Sequence, residues 1–319
     1  MSEPMNYHDF YEVVREKLPA VAAREHYNVK FYDLIEEMRT NHVAFFFPTD
    51  ENADKRVYRN YVTNMHSDYI DHDSVDKALL ATISEIKNDK KSTSPFAGAV
   101  ADEICGLVKG ITPQYVLNNT VISLHSKELA PEYIAPHNLY REYLDMCITY
   151  DVRLNADRPN NEIAIRLSED LAKECGINES DFYEKAVENS VRLRPAEIKS
   201  QASLIDEAEG VPPHVKAIAM EQALLHKKYS ISNPYGYEGA AVILYPGILE
   251  QVSVIMGGSY YLLPVSRTEF YAAPIDKANN IGELKEAVAI SAEREEKDLN
   301  ALTKSLYLYN KEDKKVRIL

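Results

Sequence analysis

Apolar positions recur at helical spacing in several stretches of the chain, with strand-like runs between them. Tyr7, Phe10, Val14 and Leu18 fall on one helix face, and Asn6 is placed to cap it with Asp9 three residues on. Two β-prone runs follow, 28–32 and 42–47 (HVAFFF), the second closed by Pro48. A helix from about Ser74 carries Val75, Leu79, Ile83 and Ile86 on one face, so a small sheet packed by helices accounts for this part. The polar tract Asn88 to Ser94 marks a boundary. Beyond it Pro95 suits the first position of a helix, with Ser94 as cap, Gly110 past its end, and Val100, Ile104, Leu107 and Val108 as its buried stripe.

From Tyr115 to Leu124 the chain reads as strand, and Met146–Leu154 with Glu162–Leu167 reads as a hairpin across NADRPNN. Ser168 caps a short helix that Gly176 stops, and Asn178 with Asp181 starts another bearing Phe182, Ala186 and Val187. The run Tyr237–Tyr245 (YEGAAVILY) has no alternation and is expected to be a central strand covered on both faces. Pro246 and Gly247 punctuate it, and Ile248, Leu249, Val252, Ile255 and Met256 form a helix stripe stopped by Gly257 and Gly258. Strands Ser259–Leu263 and Glu269–Ala273 flank Pro264. Asn280 and Glu283 make a capping-box start for a helix with Ile281, Leu284, Val288 and Ala292, and a last hairpin pairs Ser305–Tyr309 with Val316–Leu319. Strands and helices alternate irregularly and hairpins are present. The expectation is an α+β fold, a mixed β-sheet with hairpins packed by amphipathic helices, in two α/β subdomains at 1–90 and 95–319.

The succession GAAVILYPGILEQV, SYYLLP, a strand ending in Pro274, a capped helix and the LYLYN…VRIL hairpin resembles the bacterial "domain of unknown function 5688" family. The stretch Ser168–Ser190 is similar to the family's strand end, short helix, Gly and second helix ending in A-x-E-N, here Ala186 to Asn189. The resemblance implies an α+β protein over nearly the whole chain, most clearly after residue 236, and no established activity. The family commonly has Pro-Ser-Ser-x-His-Glu where this chain reads Pro264, Val265, Ser266, Arg267, Thr268, Glu269. The histidine is missing, Ser266 and Glu269 remain, and the run reads as turn chemistry.

Composition narrows the function classes. Of 319 residues 50 are acidic and 36 basic, a net charge of −14, which argues against a nucleic-acid partner and against docking on anionic lipid. Cys105, Cys147 and Cys175 are far apart, so neither a disulfide framework nor a cysteine metal site is readable. The first residues mix acidic side chains through what would be the apolar core of a secretory signal, and the longest apolar run, Ala240–Met256, is short of the roughly 20 residues a membrane helix needs. With 11 glycines the chain has no phosphate-cradling loop, and it has no nucleophile elbow and no H-E-x-x-H helix. A soluble cytoplasmic protein without cofactor, metal or identifiable catalytic residue is expected.

His66, Asp68, Asp71, His72 and Asp73 form the densest cluster of ligand types, but the six-residue separation of the histidines puts them on different helix faces. A polar helix end or loop, with Asp73 capping the next helix, explains them without a metal. His125, Glu128, Glu132 and His137 lie between two expected strands. Glu128 and Glu132 would share a helix face, as acid–base carboxylates or as a solvated surface. Tyrosine is plentiful, with 22 Tyr against 8 Phe and no Trp. Tyr235 with Tyr237 and Tyr307 with Tyr309, two apart, would share a strand face, either lining an aromatic recognition surface or filling the core edge with hydroxyls at solvent. With Ser266 and Glu269 these four are the candidate binding residues. The reading is a non-catalytic binding or interaction protein whose partner the sequence does not identify, another protein being one candidate; the alternative is a hydrolase or metal-dependent enzyme built from dispersed His, Asp and Glu.

Overall fold

A computed structural model describes residues 4–36, 39–49, 57–87, 103–134, 137–154, 162–296 and 300–319. The expected boundary tract 88–94, the start of the helix at Pro95 with Val100, and the loop 155–161 lie outside the described residues. The chain divides into two compact units, Met1–Val116 with Arg153–Arg166, and Leu117–Val152 with Leu167–Leu319. The fold is α+β, and its strand pairs are antiparallel.

In the first unit α1 (Tyr7–Ala23) begins where Asn6 accepts the Asp9 backbone N–H, and it buries Phe10, Tyr11, Val14, Leu18 and Ala22. Strands β1 (Tyr27–Glu36) and β2 (Arg39–Pro48) pair from Tyr27↔Pro48 to Glu36↔Arg39. With β3 (Tyr58–Tyr61) and, later in the chain, β7 (Ile163–Arg166), they stand in the order β3-β2-β1-β7. Helices α2 (Val62–His72) and α3 (Val75–Lys87) complete a core in which Phe10, Leu18, Phe46, Met65, Leu79 and Ile83 pack together. Asp73 is the left-handed C-terminal residue of α2, while the hydroxyl of Ser74 receives the Lys77 N–H of α3. Residues 103–109 form α4 and bury Ile104 and Val108.

The expected strand at 115–124 is instead helix α5 (Pro113–Asn119) followed by β4 (Thr120–Ser126). Thr112 Oγ1 accepts the Tyr115 N–H at 3.1 Å and proline occupies the first helical position, a start signal that outweighs the β-prone residues behind it.

In the second unit β6 (Met146–Arg153) lies between β4 and β5 (Tyr140–Tyr143). Helix α6 (Glu169–Glu174) is capped by Ser168 and ends at Gly176, which takes φ +65°. Helix α7 (Glu179–Leu193) then packs on β4, where Asn189 donates to the Leu117 and Thr120 carbonyls and Ser190 accepts the Ile122 N–H. A six-stranded sheet follows, in the order β13-β12-β10-β11-β9-β8. Its strands are β8 (Glu197–Ser200), β9 (Tyr229–Ser232), β10 (Tyr260–Ser266), β11 (Glu269–Pro274), β12 (Tyr307–Asn310) and β13 (Lys315–Ile318). Between β8 and β9 run α8 (Gln201–Glu207) and α9 (Pro213–His226); α10 (Ile248–Met256) ends at Gly257, and α11 (Ile281–Glu296) covers β10 through Leu284 and Val288.

The expected central strand at 237–245 is a turn and a 3₁₀ helix, Gly239–Leu244. Its residues Gly239 to Ile243 are all buried. Burial on every side removes alternation from a short helix as it does from a covered strand, so the apolar run alone could not separate the two.

Candidate functional site

Four charged side chains meet inside the second unit. Arg267, in the β10–β11 turn, forms an ion pair with Glu238, and their side chains are 2% and 1% exposed. Arg194, after α7, donates to the Ile122 carbonyl at 3.2 Å and to Ser123 Oγ at 3.4 Å. Ser123 in turn donates to Asp151 at 2.6 Å. Two cations and two anions leave the cluster with no formal charge, which is how such groups survive burial. Aromatic rings close it: Arg194 lies 5.3 Å from the Tyr237 ring centre, and Arg267 lies 5.7 Å from that of Tyr133, itself stacked on His125 at 3.7 Å.

Glu238 sits at φ 49°, the left-handed region, with Gly239 following it into a space too small for a side chain. Burial pushes its carboxyl above the usual carboxylate range, while the guanidinium of Arg267 pulls it back; Oε2 is buried without a hydrogen-bond partner among the described residues. The cluster is almost wholly shielded from solvent, so its role is to hold β4, β6, the 3₁₀ helix and the β10–β11 turn in register.

The sequence-expected residues scatter around this cluster. Tyr237 touches it through Arg194. Tyr235 is half-buried in the same turn, its N–H on Asn233 Oδ1. Ser266 is buried and bonds Thr268 Oγ1 at 2.7 Å, as turn chemistry requires. Tyr307 and Tyr309 do share a face of β12, but both are 1% exposed. Tyr309 packs on Tyr260 at 5.1 Å, and the Tyr307 hydroxyl donates to Asp145. Asp145 also accepts from Thr303 at 2.6 Å, beside a cleft of about 480 Å³ lined by Lys127, Leu144 and Ile318.

Glu269 is half-buried and accepts from Ser230 at 2.8 Å. Burial raises its pKa, Ser230 opposes and Glu295 adds to the rise. A carboxyl whose folded pKa is raised binds its proton more tightly in the folded state. Its contribution is therefore full below the ordinary value of 4.5 and is lost as pH climbs through the raised one. Glu269→Gln is expected to match the wild type in thermal stability at pH 4 and to exceed it slightly at pH 7, by well under the ~1.4 kcal/mol of a one-unit shift because the group is only partly buried. Melting curves at the two pH values check this.

His125 is fully buried against Tyr133, Glu128 is exposed in a turn and His137 is half-buried; the side chain of Glu132 is outside the described residues. His66 packs against Phe10 and Tyr7 with Nε2 on the Met5 carbonyl, while Asp71 and His72 are exposed. Among the described residues no three His, Cys, Asp or Glu gather into a set able to hold a metal ion.

A pair that the sequence did not single out lies in the first unit. His42 and Asp33 are cross-strand partners, with Nδ1 and Oδ1 2.7 Å apart, and Tyr11 stacks on the imidazole at 4.2 Å. Burial raises the Tyr7 hydroxyl to about 12, with Asp33 adding to it, so it is held as phenol.

A second concavity of the second unit lies beside α9. A groove of about 610 Å³ runs between its last turn, the end of α10 and the strand end at Pro274–Asp276. Leu224, Ile255, Met256 and Ile275 form apolar walls, and Lys227 and Lys228 stand among them. Leu224 is 62%, Ile255 42% and Ile275 51% exposed, a concentration of bare apolar surface of the kind that marks contact sites. Burial lowers the Lys228 pKa, so its ammonium is incompletely solvated. Neither α9 nor the groove was read from the sequence; the Pro212–Pro213 pair, with proline at the start of α9, is the signal that marks it.

Fold and site together define an α+β protein with a neutral buried charge cluster and an open apolar groove carrying two lysines. The chain belongs to the DUF5688 family, a family of unknown function, which it matches over residues 7–311. No curated protein matches it, and no solved structure does. Among the described residues no helix is long and apolar enough to cross a membrane.

Proposed function

We propose that this is a non-catalytic binding protein acting in the cytoplasm, and that the groove beside α9 receives an apolar, acid-bearing segment of another protein. The exposure of Leu224, Ile255 and Ile275 around the groove carries this reading. Lys227 and Lys228 supply the complement to a carboxylate. An anionic partner would restore to the Lys228 ammonium the stabilisation that burial removes. The volume is within the range of natural binding pockets.

The anionic dye 8-anilinonaphthalene-1-sulfonate, which joins apolar rings to a sulfonate, probes such a site. Saturable fluorescence enhancement with the folded full chain is expected, weakened several-fold by Ile255→Ser and by Lys228→Gln. Absence of enhancement, or equal binding by both variants, would count against the groove.

A second reading, hydrolysis by general-base chemistry, rests on the Asp33–His42 pair, since a carboxylate on Nδ1 leaves Nε2 to accept a proton. Turnover of a p-nitrophenyl ester that disappears in His42→Gln would favour it, and no turnover by the wild type would remove it.

A further inference from the structure

Another face of α9, away from the groove, has the spacing of a helix–helix seam. Val215, Ile218, Gln222 and Leu225 fall at i, i+3, i+7 and i+10, and the three apolar members are 44%, 62% and 54% exposed. The side of α9 that is covered carries Ala219, Met220, Ala223 and His226, and Ala223 is the buried residue of the helix. An isolated amphipathic helix turns its apolar stripe inward. Here a second stripe points out.

The ends of the helix carry opposite charge. Asp206, Glu207 and Glu209 precede α9, and the contact of Lys216 with Asp206 at 3.9 Å keeps the acidic segment beside its first turns. Lys227 and Lys228 follow its last turn, and both Glu209 and Lys227 are exposed. A twofold axis across the middle of the helix would set each acidic end against a basic end. A chain of net charge −14 otherwise repels its own copies, so this local pairing is what selects the contact.

We propose that α9 is a self-association surface: two copies of the chain pack their α9 helices antiparallel, Val215 of one against Leu225 of the other, with the Glu209 end of each beside the Lys227 end of its mate. In this register Gln222 of each copy lies opposite Ile218 of the other, at the edge of the seam where its amide can reach water. The helix has 14 residues, so the seam is short and the dimer is reversible. The seam's apolar residues Val215, Ile218 and Leu225 do not line the groove, so the seam variants test it separately from the groove reading, although Lys227 serves both.

Sedimentation velocity of the full chain over a concentration series tests it, with circular dichroism confirming that each variant is folded. The wild type is expected to pass from monomer to dimer. Ile218→Glu and Leu225→Glu, both at exposed positions, are expected to stay monomeric. Lys227→Glu and Glu209→Lys are each expected to weaken the dimer at low salt, and an equal mixture of the two to recover it as a heterodimer. A wild type that is monomeric throughout, a dimer indifferent to the seam variants, or charge variants that fail to pair with each other would overturn the proposal.

Discussion

Replacing Gly239 with alanine is expected to cost the second unit about 3 kcal/mol or more. A Cβ at that position would lie 2.1 Å from the Thr268 carbonyl oxygen, 2.3 Å from Ser232 Oγ and 3.1 Å from the Asn233 nitrogen. The two closest atoms are bonded to each other at 2.6 Å, so neither can yield alone. The turn that carries Thr268 is pinned as well, because the Arg267 N–H donates to Asn300 and its carbonyl accepts from Ala240. Relief therefore requires backbone movement in the segment that holds the Glu238–Arg267 pair. Overpacking in a well-filled interior costs about 1–3 kcal/mol, and this case belongs at or beyond the upper end, against total stabilities of about 5–15 kcal/mol. Gly106→Ala is the control. It sits in α4 with nothing within 4 Å of the new Cβ, and it should be neutral or slightly stabilising. Urea unfolding of the three proteins checks this, and a Gly239→Ala midpoint equal to that of the wild type would contradict the close packing.

Breaking the buried ion pair from one side is the second large effect. Glu238→Gln leaves the Arg267 guanidinium charged in a site almost closed to water, and Arg267→Met leaves the Glu238 carboxylate there. Each is expected to cost about 3–5 kcal/mol, because an uncompensated buried charge costs more than the pair contributes. The double variant removes both charges and is expected to cost far less than the sum of the two. A thermodynamic cycle from denaturant unfolding measures the difference. Additive losses would mean that Arg194 and Asp151, and not the partner, set the electrostatics at each position.

The elements that could be read from the sequence were those with local chemistry of their own. Asn6, Ser168 and Asn280 each accept a backbone N–H where a capping residue was expected, and Gly176 and Gly257 take the left-handed conformation that ends a helix. The closing hairpin was legible because β12 and β13 flank a polar turn. The 3₁₀ helix at 239–244 was not, because its start packs against the backbone of Thr268, which is distant in the chain. The charge cluster was hidden for the same reason. Asp151, Arg194, Glu238 and Arg267 lie on four separate segments, and each alone reads as an ordinary surface charge. Two of them nevertheless adjoin motifs that the family resemblance had marked, Arg267 inside 264–269 and Arg194 just past the A-x-E-N stretch. The tyrosines illustrate a different limit. Period-two spacing placed Tyr307 and Tyr309 on one face of β12, but spacing cannot say whether that face meets solvent or, as here, Tyr260 and the sheet interior.

The groove beside α9 is the central functional claim, and hydrogen–deuterium exchange of the full chain with and without the anionic aromatic probe tests it most directly. The account expects slowed exchange confined to 200–202, 223–229, 255–256 and 274–276, the segments that wall the groove. Unchanged exchange there, or protection centred instead on the cleft at Asp145 or on the Asp33–His42 pair, would contradict it.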